Sequence, residues 1–314
     1  MFVIPMMALA AGVSLSSTDW IAAAGTTGCD ATDVDFSDAR HGLASCAFSS
    51  AMTTADGGLT WSLRATGLQQ SLVFAHARSA SELYLARVGL YRSVDGGGTW
   101  VQIPTPAGTG VGAVHFEGPR WVAIQGGSLT YSADAGSTWG VGFAGQTGVY
   151  FDELHFPEAN AGYATGGLTT ELGSLGSVLK TQDGGASWTV LPFPHGQITA
   201  ADFSSGANGI AATFSANLYS TSNGGASWQL VSALPDSAYF LDLVQRDATH
   251  WYGASLSGCI YETFDAGLSW ASTYCSPSAQ ALTAITLEHG AAIVVGNSGQ
   301  ALYENRIFRD GFND

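Results

Sequence analysis

The stretch "TQDGGASW" at residues 181–188 decides the fold, because close copies of it recur along the chain. The copies share the pattern Ser/Thr-x-Asp-x-Gly-x-Ser/Thr-Trp, with asparagine replacing aspartate once. The third and last positions of the six octets are Asp56 and Trp61, Asp95 and Trp100, Asp134 and Trp139, Asp183 and Trp188, Asn223 and Trp228, and Asp265 and Trp270. An octet that recurs this often is either a reused catalytic loop or a structural joint.

The spacing of the octets predicts a repeat architecture. Successive terminal tryptophans are 39, 39, 49, 40 and 42 residues apart, and a period of about 40 to 45 residues with several strands per unit is typical of propeller blades. Segments such as "AVHFEGPRWVAI" alternate apolar and polar residues around a polar turn, as hairpins do. A further short strand, such as "SVLKT", leads into each octet. Each unit is therefore predicted to hold strands A, B and C, the octet, and strand D.

The two ends of the chain predict how the ring closes. The last unit, "ALTAITLEHGAAIVVGNSGQALYEN", supplies strands A to C without an octet, whereas Trp20 lies in "SSTDWIAAA", which has the pattern of a D strand alone. Because an open strand edge invites non-native pairing, we expect the N-terminal strand to complete the seventh blade. The prediction is an all-β, seven-bladed propeller of four-stranded antiparallel blades spanning residues 11–305. Residues 1–10 are then the remnant of a signal peptide, and residues 306–314 are a C-terminal tail.

The repeat resembles a known family. The octet matches the Asp-box, or bacterial neuraminidase repeat, and the whole unit resembles the photosystem II assembly and stability factor family over residues 15–305. This resemblance implies an exported seven-bladed propeller that holds a protein partner. Asp-boxes also occur in sialidases, xyloglucan-cleaving glycosidases and sortilin-type receptors, so the fold does not by itself assign the function.

The chemistry of the octet favours a structural joint. The Asp or Asn side chain can accept hydrogen bonds from backbone amides about two residues ahead, and the glycines supply positive φ. The tryptophan is predicted to pack between adjacent sheets, where aromatic burial is strongly stabilising. Six octets spread around one rim do not converge on one substrate, and one aspartate per blade does not supply the six or more oxygens that calcium takes. We therefore expect no metal and no cofactor.

Composition narrows the class of partner. The chain has 41 glycines, 46% hydrophobic and 11% charged residues, and a formal net charge of −15. Binding to nucleic acid or to an anionic membrane surface needs clustered cations, and Lys and Arg together number only 10. No segment after the N-terminus has the roughly 18 apolar residues of a membrane-spanning helix. The expected partner is a protein or a glycan, and the chain is expected to be a monomer.

Antiparallel strand order separates two faces of the predicted ring. The octets and A–B turns share one face, and the B–C and D–A loops share the opposite face. A sialidase, as the resemblance implies, clamps a substrate carboxylate with three converging arginines. Only Arg64 and Arg87 are placed on the B–C and D–A side, which argues against a sialidase.

A second kind of glycosidase stays open as the alternative function. Such an enzyme needs two carboxylates about 5 to 10 Å apart across a cleft, and the candidates on the B–C and D–A side are Asp30, Glu171 and Asp236. Phe143, Tyr150 and Phe193 are candidate sugar platforms, and His195 joins them with Arg64 and Arg87 on the candidate binding face. The long B–C segment "GGLTTELGSLGS" of the fourth blade is either a binding loop or a tolerated insertion.

The histidines of the A strands raise the question of a polar ring around the channel. His115 and His155 occupy the strand position that Asp35 and Asp202 occupy in other blades. Their spacing lacks a metal-ligand pattern, so we expect buried, hydrogen-bonded core groups.

The cysteines and the N-terminus predict export. Cys259 and Cys275 lie nearly symmetrically about the last octet, and Cys29 and Cys46 lie nearly symmetrically about the first A–B turn, so two local disulfides are predicted. The start, "MFVIPMMALAAGVSLSS", has an apolar run and a small-x-small cleavage pattern typical of a secretory signal. The sequence therefore predicts a secreted or periplasmic, non-catalytic binding scaffold, with a secreted glycoside hydrolase as the alternative.

Overall fold

The computed structural model describes residues 20–106, 110–170, 173–235, 238–288 and 290–305. These residues form seven four-stranded antiparallel sheets. The predicted signal-peptide remnant, the C-terminal tail, and the candidate carboxylates Glu171 and Asp236 lie outside the described residues.

The strands follow one another in chain order from the innermost to the outermost of each blade, apart from the first, which belongs to blade 7. The N-terminal strand is β1 (Trp20–Ala22). Blade 1 holds β2 (Ala31–Phe36), β3 (Gly42–Cys46), β4 (Ser50–Thr54) and β5 (Ser62–Ala65). Blade 2 holds β6 (Phe74–Ala77), β7 (Leu83–Ala86), β8 (Leu90–Ser93) and β9 (Val101–Ile103). Blade 3 holds β10 (Val111–Glu117), β11 (Arg120–Gln125), β12 (Ser128–Ser132) and β13 (Gly140–Phe143).

The remaining blades continue the same order. Blade 4 holds β14 (Val149–His155), β15 (Gly162–Thr170), β16 (Gly173–Thr181) and β17 (Thr189–Leu191). Blade 5 holds β18 (Ile198–Phe203), β19 (Gly209–Thr213), β20 (Asn217–Thr221) and β21 (Gln229–Ala233). Blade 6 holds β22 (Phe240–Gln245), β23 (Trp251–Ser255), β24 (Cys259–Thr263) and β25 (Ala271–Cys275). Blade 7 holds β26 (Leu282–Glu288), β27 (Ala291–Gly296) and β28 (Gln300–Glu304), with a 3₁₀ turn at Asn297–Gly299 before β28.

The N-terminal strand closes the ring, as predicted. β1 pairs with β28 in antiparallel register, Trp20 opposite Glu304, and so becomes the outer strand of blade 7. The Trp20 ring is buried edge-on against Tyr252 of blade 6, with centroids 6.1 Å apart. Its Nε1 donates a hydrogen bond to Thr273 Oγ1 at 3.0 Å. The first strand thus ties blade 7 to its neighbour as well as completing its sheet.

Each octet is a closed hydrogen-bonded turn, and its geometry corrects one detail of the sequence prediction. Ser187 donates to Asp183 from its backbone N at 2.9 Å and from its hydroxyl at 2.6 Å, so the carboxylate reaches four residues ahead rather than about two. The nearer amides go instead to the hydroxyl of Thr181, which accepts from Asp183 N and from Gly185 N. The fifth-position glycines all have φ between 81° and 92°, a range that strongly favours glycine.

The octets and the A–B turns share one face, here called the octet face. In blade 4 the backbone N of Gly184 donates to the carbonyl of Asn160 in the A–B turn at 3.0 Å. The same bond recurs in blades 1, 2, 3, 5 and 6, as Gly57 to Arg40, Gly96 to Ser81, Ala135 to Pro119, Gly224 to Ala207, and Ala266 to Thr249. The opposite face, here called the loop face, carries the D–A segments and the B–C loops at 47–49, 87–89, 126–127, 214–216, 256–258 and 297–299.

The octet tryptophans pack between neighbouring blades. Trp228 of blade 5 is buried with Tyr163 and Val178 of blade 4, and Trp61 of blade 1 is buried with Ile293 of blade 7. One tryptophan thus packs between each pair of neighbouring blades, and Trp20 takes this place between blades 6 and 7, where there is no octet.

Replacement of Asp183 by alanine should lower the free energy of unfolding by about 2 to 3 kcal/mol, because several turn groups lose an ionised acceptor at once. The matched control is Asp183→Asn, which should cost much less. Blade 5 already carries Asn223, whose Oδ1 accepts from Ser227 N and whose Nδ2 donates to Ser227 Oγ. Urea unfolding of both variants measures the difference, and equal midpoints for the alanine variant and the unchanged protein would contradict the clasp role.

The fourth blade shows where the sequence interpretation was incomplete. The described parts of the segment at 166–177 are strand rather than loop, because β15 and β16 pair continuously from Gly162 opposite Thr181 to Thr170 opposite Gly173. Glycines permit this extension. A Cβ on Gly166 would lie 2.2 Å from the carbonyl oxygen of Tyr150, so β14 passes closer to this hairpin than a side chain allows.

Both predicted disulfides are present. Cys29 is bonded to Cys46, and Cys259 to Cys275, which are direct cross-strand neighbours on β24 and β25. Two disulfides indicate an oxidising compartment. In the described residues, no helix has the length and apolar character needed to cross a membrane.

Candidate functional site

The inner strands line a central channel and are joined by carboxylates. Inner-strand carboxylates accept hydrogen bonds from backbone amides of the next blade's inner strand, at 2.8 to 3.0 Å: Asp33 from Ala75, Asp35 from Ala77, Glu153 from Ala201, Asp202 from Gln245, and Asp242 from Ile285. Neighbouring blades are separate sheets, so these amides have no strand partner on that side. The channel carboxylates therefore supply inter-blade bonds that sheet pairing cannot.

Where the equivalent position carries a histidine, its ring contributes stacking, and His76 Nδ1 also lies 2.7 Å from the Asp35 carboxylate of blade 1. His76 of blade 2 stacks on Phe116 of blade 3 with centroids 4.6 Å apart, and His115 of blade 3 stacks on Phe156 of blade 4 at 4.0 Å. His155 is hydrogen-bonded as expected, with Nε2 3.3 Å from Glu153. The expectation is wrong for Nε2 of His115, which is buried without a hydrogen-bond partner among the described residues.

The channel shifts the pKa values of its acids upward. Burial raises the pKa of Asp33 to about 7, with repulsion from Asp35 adding to the effect. Burial, followed by the charge of Glu153, raises the pKa of Asp242 well above its usual value, and burial also raises the pKa of Asp202. Burial alone would lower the pKa of His155, but its hydrogen bond and attraction to Glu153 raise it on balance. Each of these acids accepts a hydrogen bond from a backbone amide of the next blade, so they join the inner strands rather than form a catalytic pair.

The loop face carries projecting apolar side chains at the tips of its B–C loops. Phe48 and Phe214 are 73% and 65% exposed, and Val88 and Leu256 are 67% and 53% exposed. Each comes from a different blade and points away from the packed core. The octet face also exposes apolar side chains, at Val94, Phe264 and Leu268, but those of the loop face surround the channel opening, where exposed apolar groups suit the binding of another molecule.

A cluster of polar and aromatic side chains, here called the mouth cluster, lies where the channel opens on the loop face. It consists of Tyr150 and Asp152 from β14, Gln197 before β18, Phe214 in the B–C loop of blade 5, and Tyr239 before β22. Phe214 and Tyr239 meet edge to face at 5.3 Å. Burial raises the pKa values of Tyr150 and Tyr239, and the nearby charge of Asp152 raises both further. The charge of Asp152 therefore acts on tyrosines of blades 4 and 6 at once.

Asp152 differs from the other channel acids because, among the residues that the structure describes, no backbone amide donates a hydrogen bond to its side chain. Its position is the extra residue of a β-bulge, since the register of β14 shifts between Phe151 and Glu153. Its side chain is reached by solvent. Partial desolvation by the surrounding protein nevertheless raises the pKa of its carboxyl group to about 6, and the charge of Glu153 adds to the effect. A bulge re-aims one side chain out of the regular alternation, and here that side chain is a carboxylate.

Most of the site residues predicted from the sequence lie outside the mouth cluster. Arg64 lies exposed on the outer strand β5 of blade 1, and Arg87 lies in the B–C loop of blade 2, so they do not converge with the mouth cluster. Asp30 is on the loop face but accepts a hydrogen bond from Ser298 N at 2.6 Å. Among the candidates that the structure describes, Tyr150 is the one that belongs to the mouth cluster.

Three predicted ring surfaces are committed to packing. Phe193 is buried edge-on against Trp228, with centroids 5.1 Å apart, so it cannot serve as a sugar platform. Phe143 is half-buried against Phe151 at 5.9 Å. His195 stacks on Tyr219 at 4.2 Å.

Sequence reasoning missed Asp152, Phe214 and Tyr239. The acidic pair in "VYFDELHF" was a usable signal. Of two adjacent acids in an inner strand, only one can occupy the position whose carboxylate bonds to the next blade. The other two residues carry no local signal. No group of three or more metal-ligating side chains occurs in the part of the chain that the structure describes.

No family model matches the sequence, and no curated protein matches it. Solved structures do. "YCF48 bound to D1 peptide" is 19% identical with a TM-score of 0.74, over 91% of this chain and 96% of that chain. YCF48 from Cyanidioschyzon merolae is 17% identical with a TM-score of 0.74, over 92% and 99%.

A more distant likeness is to an enzyme. The GH74 xyloglucanase from Xanthomonas campestris is 17% identical with a TM-score of 0.64, over 86% of this chain but only 51% of that chain. The present chain therefore spans about half the length of that enzyme. At these identities the likeness concerns architecture alone, and it agrees with the seven-bladed β-propeller fold of this chain.

Proposed function

We propose that this protein is a non-catalytic scaffold that holds a segment of a partner protein on its loop face. The observation that carries the proposal is the set of exposed apolar tips on that face, two phenylalanines and two aliphatic residues from four blades, around the open mouth cluster. The likeness in fold to a YCF48 that was solved with a D1 peptide supports a protein partner.

Location and domain structure complete the proposal. Two disulfides support function in a secreted or periplasmic setting. Residues 11–305 are proposed to act as one propeller domain and as a monomer, with the octets as Asp-boxes that clasp each blade. A glycan partner is the competing outcome of the test.

Site-specific photocrosslinking tests the proposal. A benzophenone side chain placed at Phe214 probes the loop face, and the same group at Val94, which is 62% exposed beside an octet, is the matched control on the octet face. We expect protein adducts from position 214 in the native compartment and none from position 94. Adducts from position 94 alone, adducts from neither position, or specific retention on a glycan array without protein adducts would overturn the proposal.

A further inference from the structure

We propose that the mouth cluster binds one cationic side chain, a lysine or an arginine, of the partner segment, with Asp152 as its counter-ion and Tyr150, Tyr239 and Phe214 as its walls. The inference rests on the proposed function, because the side chain belongs to a protein held on the loop face. It adds the chemistry that the partner must present.

The geometry comes from three blades that meet at the channel. Tyr150 lies against the β15 backbone, since a Cβ on Gly167 would be 2.3 Å from the Tyr150 hydroxyl. Phe214 is held over the mouth because its backbone N donates to the Gln197 carbonyl at 2.9 Å. Tyr239 is held in the same way, since its carbonyl accepts from Leu256 N at 2.9 Å. The walls are thus fixed by backbone hydrogen bonds and close packing.

The charge of the cluster is uncompensated. Among the described residues, no lysine, arginine or histidine forms an ion pair with Asp152, and its side chain makes no hydrogen bond. The groups that face it are Glu153 on its own strand, Tyr150, and Tyr239 of blade 6. Deeper in the channel lie Asp33, Asp202 and Asp242. A carboxylate that has no cationic partner attracts a group of the opposite charge.

The walls favour an organic cation over a metal ion. Tyrosine and phenylalanine rings attract ammonium and guanidinium groups through their π faces, and more strongly where the cation is desolvated. One carboxylate with aromatic neighbours lacks the oxygen ligands that calcium or magnesium takes. Phe214 and Leu256, both exposed at the rim, offer apolar contacts for residues on either side of the cation. The fitting segment therefore carries a basic residue flanked by apolar ones.

The test uses a fluorescent heptapeptide, blocked at both ends, with arginine at its centre and leucine two positions away on each side. The matched peptide carries citrulline, which keeps the shape and removes the charge. By fluorescence anisotropy at low salt, we expect the citrulline peptide to bind about tenfold more weakly, a loss of about 1.4 kcal/mol.

Variants locate the site. Asp152→Asn should weaken arginine-peptide binding about tenfold, whereas Glu117→Gln, an exposed carboxylate at the end of β10 on the octet face, should leave it unchanged. Phe214→Ser should weaken binding, and Leu268→Ser, a similarly exposed apolar side chain in an octet on the opposite face, should not. Equal thermal midpoints among the variants show that folding is intact.

The pH dependence of peptide affinity distinguishes a charge interaction from purely apolar contact. Binding should weaken about tenfold between pH 7.5 and pH 5, because the carboxylate with a pKa of about 6 loses its charge. Equal affinity for both peptides, or full binding by Asp152→Asn, would overturn the inference. If crosslinking at position 214 persists in Asp152→Asn, the scaffold function holds although the cation site does not. Failure of the cation site can therefore be distinguished from failure of the scaffold function.

Discussion

A chain shortened to begin at Gly25 should lose at least about 3 to 5 kcal/mol of its free energy of unfolding, the usual cost of removing a buried tryptophan. The truncation removes β1 and with it Trp20, which is 7% exposed, stacked edge-on against Tyr252 and hydrogen-bonded to Thr273. It also leaves β28 as an unpaired edge, which invites association between molecules. Urea unfolding followed by tryptophan fluorescence measures the stability, and light scattering measures the association.

The matched control is a chain that begins at Thr18. It removes only residues that precede the described part of the structure and keeps β1, so its unfolding midpoint should equal that of the full chain. Trp20→Ala separates the side chain from the strand and should account for most of the loss. If the chain that begins at Gly25 unfolds at the same urea concentration as the control, the ring is not closed by β1.

Stability should be greatest in mildly acidic solution and should fall by a few kcal/mol between pH 5 and pH 8. The reason is the set of channel acids whose pKa values are raised in the folded protein, with Asp33 at about 7 and Asp202 and Asp242 also raised. An acid with a raised folded pKa binds its proton more tightly when folded, so its stabilising contribution is lost as pH rises toward that pKa. Asp33 alone should contribute roughly 2 kcal/mol of the fall, from the linkage between pKa and stability.

Other titrating groups change the dependence of stability on pH without reversing its direction. The raised pKa of His155 contributes stability that is likewise lost as pH rises through it. Burial lowers the pKa of His115 to about 4, so that residue opposes the trend by destabilising the fold as pH falls below its ordinary pKa of about 6.5. Hydrogen bonds from Thr99 lower the pKa of the octet acid Asp95 to about 2, so its contribution is lost only in stronger acid.

One substitution isolates the effect. Asp33→Asn removes the titrating group and keeps an amide oxygen as acceptor for one of its two backbone bonds, so the difference in stability between pH 5 and pH 8 should shrink. The control is Asp38→Asn, since backbone hydrogen bonding from Arg40 lowers the pKa of Asp38 to about 2, outside this window. Urea titrations at both pH values give the slope. An unchanged slope in Asp33→Asn would remove the channel acids as the cause.

The blade count, the closure and the disulfides were predictable from the sequence because each depends on local chemistry or on the repeat period. The octet encodes its turn through a hydroxyl, a carboxylate and a glycine within eight residues, and the tryptophan spacing counts the blades. Cys259 and Cys275 flank one such hairpin, so their pairing follows from its register. The extension of β15 and β16 was harder to predict, because glycine and threonine in a polar stretch suit a loop and a hairpin equally.

The mouth cluster was decided by the tertiary structure alone. Asp152, Phe214 and Tyr239 lie on three blades and meet only because the closed ring turns their loops toward one opening. Phe193 shows the converse, since an aromatic residue in a D–A segment has the same sequence pattern whether it faces solvent or, as here, a neighbouring tryptophan. The sequence by itself determined the repeat, the clasps and the closure, which depend on residues close along the chain or on their period. Burial, charge convergence and the resulting pKa values were set by the packing of distant blades, since the dielectric and electrostatic surroundings of a side chain come from its neighbours in space.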